Sequence, residues 1–126
     1  MSKKTIRDWQ REVHQAAIAA GWWDEYELGD HGYEVDTRDV MSFLANAHGE
    51  ISEANEEVRR NPPEKLREVW IDTDSGKPEG FGIELADTII RLFDTASALG
   101  INLEEMIEIK HAYNQKRPHR HGGKLA

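Results

Sequence analysis

Two pairs of acidic residues have the spacing of neighbours on a helix. Glu50 and Glu53 are three residues apart, and so are Glu84 and Asp87. In an α-helix, residues at this spacing lie on one face with their β-carbons about 5 to 6 Å apart. Both pairs also border the apolar residues of their own segments, which predicts that they lie at a helix interface and not on the solvated face. Each pair is therefore a candidate half of one site.

Carboxylates gathered at a helix interface repel one another strongly unless they take up protons or bind a cation. The sequence has no Cys, and no His lies three or four residues after any of the four acids. Oxygen ligands without thiolate or imidazole favour Mg²⁺, with Mn²⁺ as a substitute, over zinc or a di-iron centre. The alternative is that both pairs are solvated acidic positions, where like charges cost only a few tenths of a kcal/mol.

A cationic stripe is predicted near the C-terminus. Its members have the spacing i, i+3, i+4 and i+7 and are Lys110, Tyr113, Asn114 and Arg117. They share one face of a helix if that helix continues as far as Arg117. Two cations and an amide on one face suit a polyphosphate, and Lys124 in the segment that follows could contact the same anion. The alternative for that last segment is an exposed basic end without a ligand.

Net charge separates these two regions. The chain has a formal charge of −8, and all 24 acidic residues lie at or before Glu108. Residues 1–109 hold those 24 acids and 11 of the 16 basic residues, a net charge of −13, whereas residues 110–126 hold five basic residues and no acid. The overall acidity argues against a protein that coats nucleic acid, and the basic end argues for a local anion.

Size and composition limit the class of protein. At 126 residues and 14.4 kDa, the chain is expected to form one domain, residues 1–126, with a core that needs no disulfide. The lack of Cys excludes disulfides, thiolate zinc sites, iron–sulfur clusters and Cys nucleophiles. No run of 18 apolar residues and no signal-peptide core are present, so we expect a soluble cytoplasmic protein without a membrane partner.

Helical periodicity dominates the chain and predicts an all-α bundle of four main helices. The expected helices run from Thr5 to about Ala20, from Thr37 to Pro62, from about Gly82 to Leu99, and from Asn102 to Pro118. The third is the most apolar, so it is predicted to lie at the centre of the bundle or in an oligomer interface. No segment has the two-residue period of a strand.

Several of these residues belong to motifs that resemble a known family. The motifs are His48-Gly-Glu-Ile-Ser-Glu-Ala54, Gly76-Lys-Pro-Glu-Gly80 leading into Ile83-Glu-Leu-Ala-Asp87, Lys110-x-x-Tyr-Asn-x-x-Arg-Pro118, and His121-Gly-Gly-Lys124. Over roughly residues 40–124 they are similar to the MazG-like nucleotide pyrophosphohydrolases of the all-α NTP pyrophosphatase superfamily. The resemblance implies a helical bundle, completed as a homodimer or homotetramer, that uses Mg²⁺ to split a nucleoside triphosphate into monophosphate and pyrophosphate.

The resemblance also implies roles for individual residues. It assigns metal binding to Glu50, Glu53, Glu84 and Asp87, and phosphate contacts to Lys110, Asn114 and Arg117. We hypothesise that Glu53 orients or deprotonates the attacking water. The physiological role that the resemblance implies is the removal of damaged or surplus nucleotides.

Aromatic residues before the second helix are candidates for contacts with a base. Residues 22–36 combine aromatics with Gly and are predicted to form a long ordered loop. Trp22 and Trp23 could offer the flat apolar surface that base recognition needs, although a core or subunit contact is the favoured alternative for both. Trp9 lies on the apolar stripe of the first helix and is expected in the core.

Two other functions stay open at this stage. One is a related pyrophosphatase for a phosphoribosyl nucleotide, which would share the metal site but would not need an aromatic base pocket. The other is a non-catalytic helical module whose basic end binds nucleic acid or an acidic partner; it predicts salt-sensitive binding of oligonucleotides and no stabilisation by Mg²⁺. The sequence has no complete P-loop, no G-x-S-x-G motif and no zinc-deaminase motif.

Overall fold

The computed structural model describes residues 3–118 and confirms the all-α class. The four helices are α1 (Ile6–Ala19), α2 (Thr37–Arg60), α3 (Phe81–Ala98) and α4 (Leu103–Gln115), and a single 3₁₀ turn spans Pro63–Lys65. The last helix ends earlier than the sequence predicts, because Lys116 already forms its C-terminal cap. Proline at 118 disfavours helical geometry in the residue before it, which accounts for the early end.

Side chains cap the beginnings of α1, α2 and α4, and the cap of α4 is Asn102, as predicted. Thr5 and Asp8 form the capping box predicted for α1, each side chain hydrogen-bonded to the other residue's backbone N–H. In α2 the cap is Asp36, one residue before the expected Thr37, and it forms the same reciprocal pair with Asp39. These caps satisfy N–H groups that the first helical turn leaves unpaired, so they define where α1 and α2 begin.

Helix α3 lies at the centre of the bundle, as its apolar sequence predicts, and its most extensive contacts are with α2 and α1. Helix α4 packs against α1 instead. The buried Gln10 joins these two helices: its Nε2 donates to the Ile101 carbonyl at 2.6 Å, and its Oε1 accepts from the Leu103 N–H at 3.0 Å. The acidic pairs therefore lie on the two helices that pack together most closely, and the cationic stripe lies on a third.

Two short antiparallel ladders occur where the sequence shows no strand period. Strands β1 (Leu28–Gly29) and β2 (Gly32–Tyr33) pair in the loop after α1, and β3 (Trp70–Ile71) pairs with β4 (Pro78–Glu79) just before α3. Each strand has only two residues, too few to show an alternating pattern. The ladders fix the ends of the loops that lead into α2 and α3.

Glycine allows the first hairpin to approach the C-terminal end of α3. Gly32 has a φ of +137°, and a β-carbon there would collide with the carbonyl oxygen of Ala98. Gly100 has a φ of +74°, and a β-carbon there would collide with the carbonyl oxygen of His31. Both positions combine a left-handed backbone with a close backbone contact, so they hold the aromatic loop against the bundle.

The bundle leaves many large apolar side chains exposed. On α3 these include Leu85, Ile89 and Leu92, and Trp9 on α1 is 49% exposed with the Lys4 ammonium 4.4 Å from its ring centroid. The core position expected for Trp9 is therefore wrong for the single chain. Exposed apolar faces of this kind are what an oligomer interface would cover, so completion by a second copy stays a prediction. None of the helices in residues 3–118 combines the length and apolar character that a bilayer-spanning segment needs.

Candidate metal centre and adjoining cavity

The packing of α2 on α3 brings the two acidic pairs together. Glu50, Glu84 and Asp87 each offer one carboxylate oxygen, and these oxygens all lie within 4.8 Å of one another. Glu84 and Asp87 come from adjacent turns of α3, and Glu50 faces them from α2. This arrangement gives three convergent hard ligands from two rigid elements, a geometry that suits an oxygen-coordinated divalent cation.

Glu84 is the most unusual member of this acidic cluster. It is only 8% exposed, and its Oε2 atom is buried without a hydrogen-bond partner among the described residues. Burial, followed by hydrogen bonding to Glu53 and the charges of the neighbouring carboxylates, raises the pKa of Glu84 to about 7. A buried carboxylate oxygen without a donor is costly, and either a proton or a cation removes that cost.

The chemistry of this site fits Mg²⁺ or Mn²⁺. The candidate ligands are carboxylate oxygens, and neither His nor Cys belongs to the cluster. Burial and the charge of Glu50 raise the pKa of Asp87, although Lys77 and Arg91 oppose the increase. A divalent cation would neutralise Glu50, Glu84 and Asp87 together and would give the buried oxygen of Glu84 a partner.

Glu53 differs from the other three predicted metal ligands. Glu53 is exposed, and its carboxylate oxygens do not belong to the group that converges within 4.8 Å. It still lies close enough to Glu84 to accept a hydrogen bond from that carboxyl when Glu84 is protonated. The structure thus groups three of the four predicted ligands and leaves Glu53 beside them, where it has access to solvent.

A cavity of about 630 Å³ adjoins the acidic cluster, and Glu50 and Asp87 line both. Its other walls come from α1, the aromatic loop, α2 and α3. The aromatic side chains that line it are Trp22, Trp23, Tyr26 and Phe43. Polar groups reach it from Asn46 and Thr95, and the only cation among the described residues that line it is Arg91. An aromatic cavity with a few polar groups is typical of a ligand pocket.

A hydrogen-bond network fixes Trp23 in the cavity wall. The residue is 5% exposed, and its indole Nε1 donates to Asp94 Oδ1 at 3.0 Å. The Nδ1 atom of His14 lies 2.7 Å from the same oxygen, within hydrogen-bond distance. Tyr33 stacks on the Trp23 ring with centroids 5.0 Å apart. Trp22 is 76% exposed, so of the two predicted tryptophans it is the one free to contact a ligand by its face.

The substitution Asp94→Asn tests this network without changing the acidic cluster. It puts an NH₂ donor in place of Oδ2, which accepts from the Trp23 indole at 3.2 Å, and it removes the carboxylate charge that strengthens the bonds of Trp23 and His14 to Oδ1. We expect the free energy of unfolding to fall by about 1 to 2 kcal/mol. Urea denaturation followed by tryptophan fluorescence measures the change, with the exposed Asp74→Asn as the matched control. Equal stability of the Asp94 variant and wild type would contradict an anchoring role.

The predicted phosphate-binding stripe forms only in part, because α4 ends at Gln115 and Arg117 lies beyond the helix; none of its described members belongs to the acidic cluster. The Nζ atom of Lys110 and the guanidinium carbon of Arg117 lie 4.8 and 5.5 Å from the ring centroid of Tyr113, and Asn114 belongs to the same exposed helix. Lys110, Asn114 and Arg117 are not among the residues that line the cavity within the described part of the chain. Lys124 lies outside the described residues. Phosphate binding by this stripe stays a prediction.

Arg91 and Asp94 are the functional candidates that the sequence analysis missed. Arg91 lies four residues after Asp87, about one helical turn further on the same face, and this spacing could have drawn attention to it. Asp94 lies a further three residues along. Neither residue belongs to the predicted acidic pairs, and their partners Glu50, His14 and Trp23 are distant in sequence.

Three comparisons with known proteins identify no relative. The chain matches no model of a protein family, no protein of curated function and no solved structure.

The titration of Glu84 gives a stability prediction for the metal-free protein. Its pKa of about 7 exceeds the ordinary value of 4.5, so between these values the folded state holds a proton that the unfolded chain has released. Stability is therefore expected to fall as the pH rises from about 5 to 7.5 and to level off above that range. A shift of this size corresponds by linkage to a loss of at most about 3 kcal/mol.

Saturating Mg²⁺ is expected to reverse the slope of this profile, because a bound cation favours the ionised carboxylates. Urea denaturation at several pH values, with and without Mg²⁺, measures both slopes. The difference between wild type and Glu84→Gln separates the contribution of Glu84 from those of the six histidines. A falling profile in the presence of Mg²⁺ would contradict the metal site, and a metal-free difference that does not change with pH would contradict the raised pKa of Glu84.

Proposed function

We propose that this protein is a Mg²⁺-dependent nucleoside triphosphate pyrophosphohydrolase that produces a nucleoside monophosphate and pyrophosphate. The observation that carries the proposal is the partly buried carboxylate cluster of Glu50, Glu84 and Asp87 at one end of an aromatic cavity. Such a cluster suits the cation of a metal–polyphosphate complex, and the cavity suits a nucleoside. The motifs that resemble the MazG-like pyrophosphohydrolases support the same activity.

Three side chains would hold the cation, and a fourth would act on water. Glu50, Glu84 and Asp87 supply the ligands, and Mg²⁺ bound there would neutralise phosphate charge and make an attacking water more acidic. Glu53 lies beside these ligands with access to solvent, so its carboxylate orients the water and accepts its proton. The oxygen of that water bonds to phosphorus as the phosphoanhydride bond breaks, and the two products are monophosphate and pyrophosphate.

The cavity would bind the nucleoside part of the substrate. Its volume of about 630 Å³ falls within the range of roughly 300 to 1,000 Å³ typical of small-molecule sites. Trp22 offers an exposed ring for stacking on a base, and Trp23, held by Asp94, forms a fixed part of the wall. Asn46 supplies an amide that both donates and accepts hydrogen bonds at the edge of a base. This aromatic lining favours a nucleoside triphosphate over a substrate without a stacked base.

A panel of ribo- and deoxyribonucleoside triphosphates tests the proposal. Each is incubated with the protein, with and without Mg²⁺. The protein is then removed by filtration, and orthophosphate is measured before and after addition of an inorganic pyrophosphatase together with Mg²⁺. We expect orthophosphate to appear only after addition of the pyrophosphatase, and only in samples that contained Mg²⁺ during the first incubation. Orthophosphate without the added enzyme would indicate removal of the terminal phosphate instead. No hydrolysis of any triphosphate, combined with salt-sensitive binding of oligonucleotides, would favour the non-catalytic module.

A further inference from the structure

Arg91 joins the acidic cluster to the cavity. Its Nε donates to Glu50 Oε1 at 2.9 Å, a charge-assisted bond between α3 and α2. The Glu50 side chain is 14% exposed, whereas that of Arg91 is 47% exposed and lines the cavity. The guanidinium therefore holds one of the predicted metal ligands and is open to a ligand in the cavity.

Along α3, Arg91 lies between a residue of the acidic cluster and a residue of the cavity wall. Asp87 of the acidic cluster precedes it by four residues, and Thr95 of the cavity wall follows it by four, so each lies about 6 Å away along the helix axis. Residues at this spacing share one face of the helix. If a nucleotide placed its terminal phosphates at Asp87 and its base beside Trp23, the phosphate attached to its nucleoside would therefore lie next to Arg91.

Arg91 is the only cationic side chain among the described residues of the cavity wall that could contact the phosphate attached to the nucleoside. Among the described residues that line the cavity, Glu50, Asp87 and Asp94 are acidic and Arg91 alone is basic. Without Arg91, every charged side chain among the described residues that line the cavity would be a carboxylate. Among the hydrogen bonds of the described residues, Arg91 uses only its Nε, and the two Nη groups carry four further N–H donors.

We infer that Arg91 binds the phosphate attached to the nucleoside while its Nε keeps Glu50 in place at the metal site. This inference rests on the proposed function and adds a phosphate-binding residue that the four-acid motif does not contain. The forked guanidinium suits the role because it can donate to a carboxylate and to a phosphate at the same time. The role predicts that Arg91 discriminates between a nucleotide and the matching nucleoside.

Isothermal titration calorimetry of the full chain with the four ribonucleoside 5′-monophosphates and the four nucleosides tests this inference. We expect wild type to bind at least one monophosphate more tightly than its nucleoside. The substitution Arg91→Gln should weaken binding of that monophosphate about 10- to 100-fold and leave binding of the nucleoside within about twofold. The control Arg60→Gln removes an exposed arginine of α2, 3.9 Å from Glu56, and should bind both ligands like wild type.

Unchanged affinity of Arg91→Gln for the monophosphate would overturn the inference, as would equal weakening of nucleoside and monophosphate. If Arg91→Gln does not fold, Arg91→Lys takes its place: it keeps the charge but loses the fork, and its affinity for the monophosphate should fall at least threefold. A wild-type protein that shows no preference for a monophosphate also overturns the inference. The pyrophosphate assay decides the proposed function separately, so hydrolysis together with an unaffected Arg91 variant would reject only the role of Arg91.

Discussion

Glu84→Gln is expected to lower kcat/KM for pyrophosphate release by about 1,000-fold and to abolish stabilisation by Mg²⁺. The carboxylate of Glu84 is the most buried of the converging ligands, and its Oε2 has no partner within the described residues. An amide in its place keeps the shape but removes the negative charge that binds a cation. The substitution also removes like-charge repulsion from Glu50 and Asp87, so the metal-free variant should be at least as stable as wild type above pH 7.

Thermal denaturation with increasing Mg²⁺ and steady-state kinetics measure both effects. Wild type should show a Tm that rises with the Mg²⁺ concentration, and Glu84→Gln should show a constant Tm. The exposed Glu64, on the 3₁₀ turn after α2, offers Glu64→Gln as a control that changes the net charge equally. An active Glu84→Gln variant, or one that Mg²⁺ stabilises like wild type, would remove this carboxylate from the metal site.

Glu53→Gln is expected to lower kcat by about 100-fold or more while the Mg²⁺ concentration for half-maximal activity changes less than about threefold. Glu53 is exposed and lies outside the three converging oxygens, so its loss should remove the group proposed to activate water and leave the proposed metal ligands in place. Steady-state rates at several Mg²⁺ concentrations separate the two effects. The control is Glu57→Gln one turn further along α2, which keeps an oxygen to accept from Asn61.

A large increase in the Mg²⁺ requirement of Glu53→Gln would instead make Glu53 a fourth metal ligand, which is the role that the resemblance implies. Full activity of the variant would exclude both roles. The two variants therefore separate metal binding from water activation. Loss of Glu84 should abolish both stabilisation by Mg²⁺ and turnover, and loss of Glu53 should abolish only turnover.

The helices were predictable because local chemistry determines them. Thr5 with Asp8 shows in the sequence where α1 begins, and the structure confirms that pair as a capping box. Gly100, with a φ of +74°, follows the end of α3 as a glycine stop predicts. The two ladders escaped prediction because strands of two residues are held by pairing across a turn and not by their own pattern.

The acidic cluster was predictable because helical spacing and an apolar stripe together orient a side chain toward a neighbouring helix. Glu84 and Asp87 could be placed on the inner side of α3 from their neighbours alone. The Glu50–Arg91 pair could not, since it joins residues 41 apart and depends on how α2 crosses α3. The same reason applies to Asp94, whose partners His14 and Trp23 lie 80 and 71 residues away on or near α1.

Phosphorus NMR of the products tests the central claim most directly, because it identifies which bond of the triphosphate breaks. The triphosphate that the panel selects is incubated with Mg²⁺ and either wild type or Glu84→Gln. We expect wild type to convert the three triphosphate resonances into those of pyrophosphate and monophosphate in equal amounts, and Glu84→Gln to leave them unchanged. Orthophosphate with a nucleoside diphosphate as the products, or equal pyrophosphate from both proteins, would contradict this expectation.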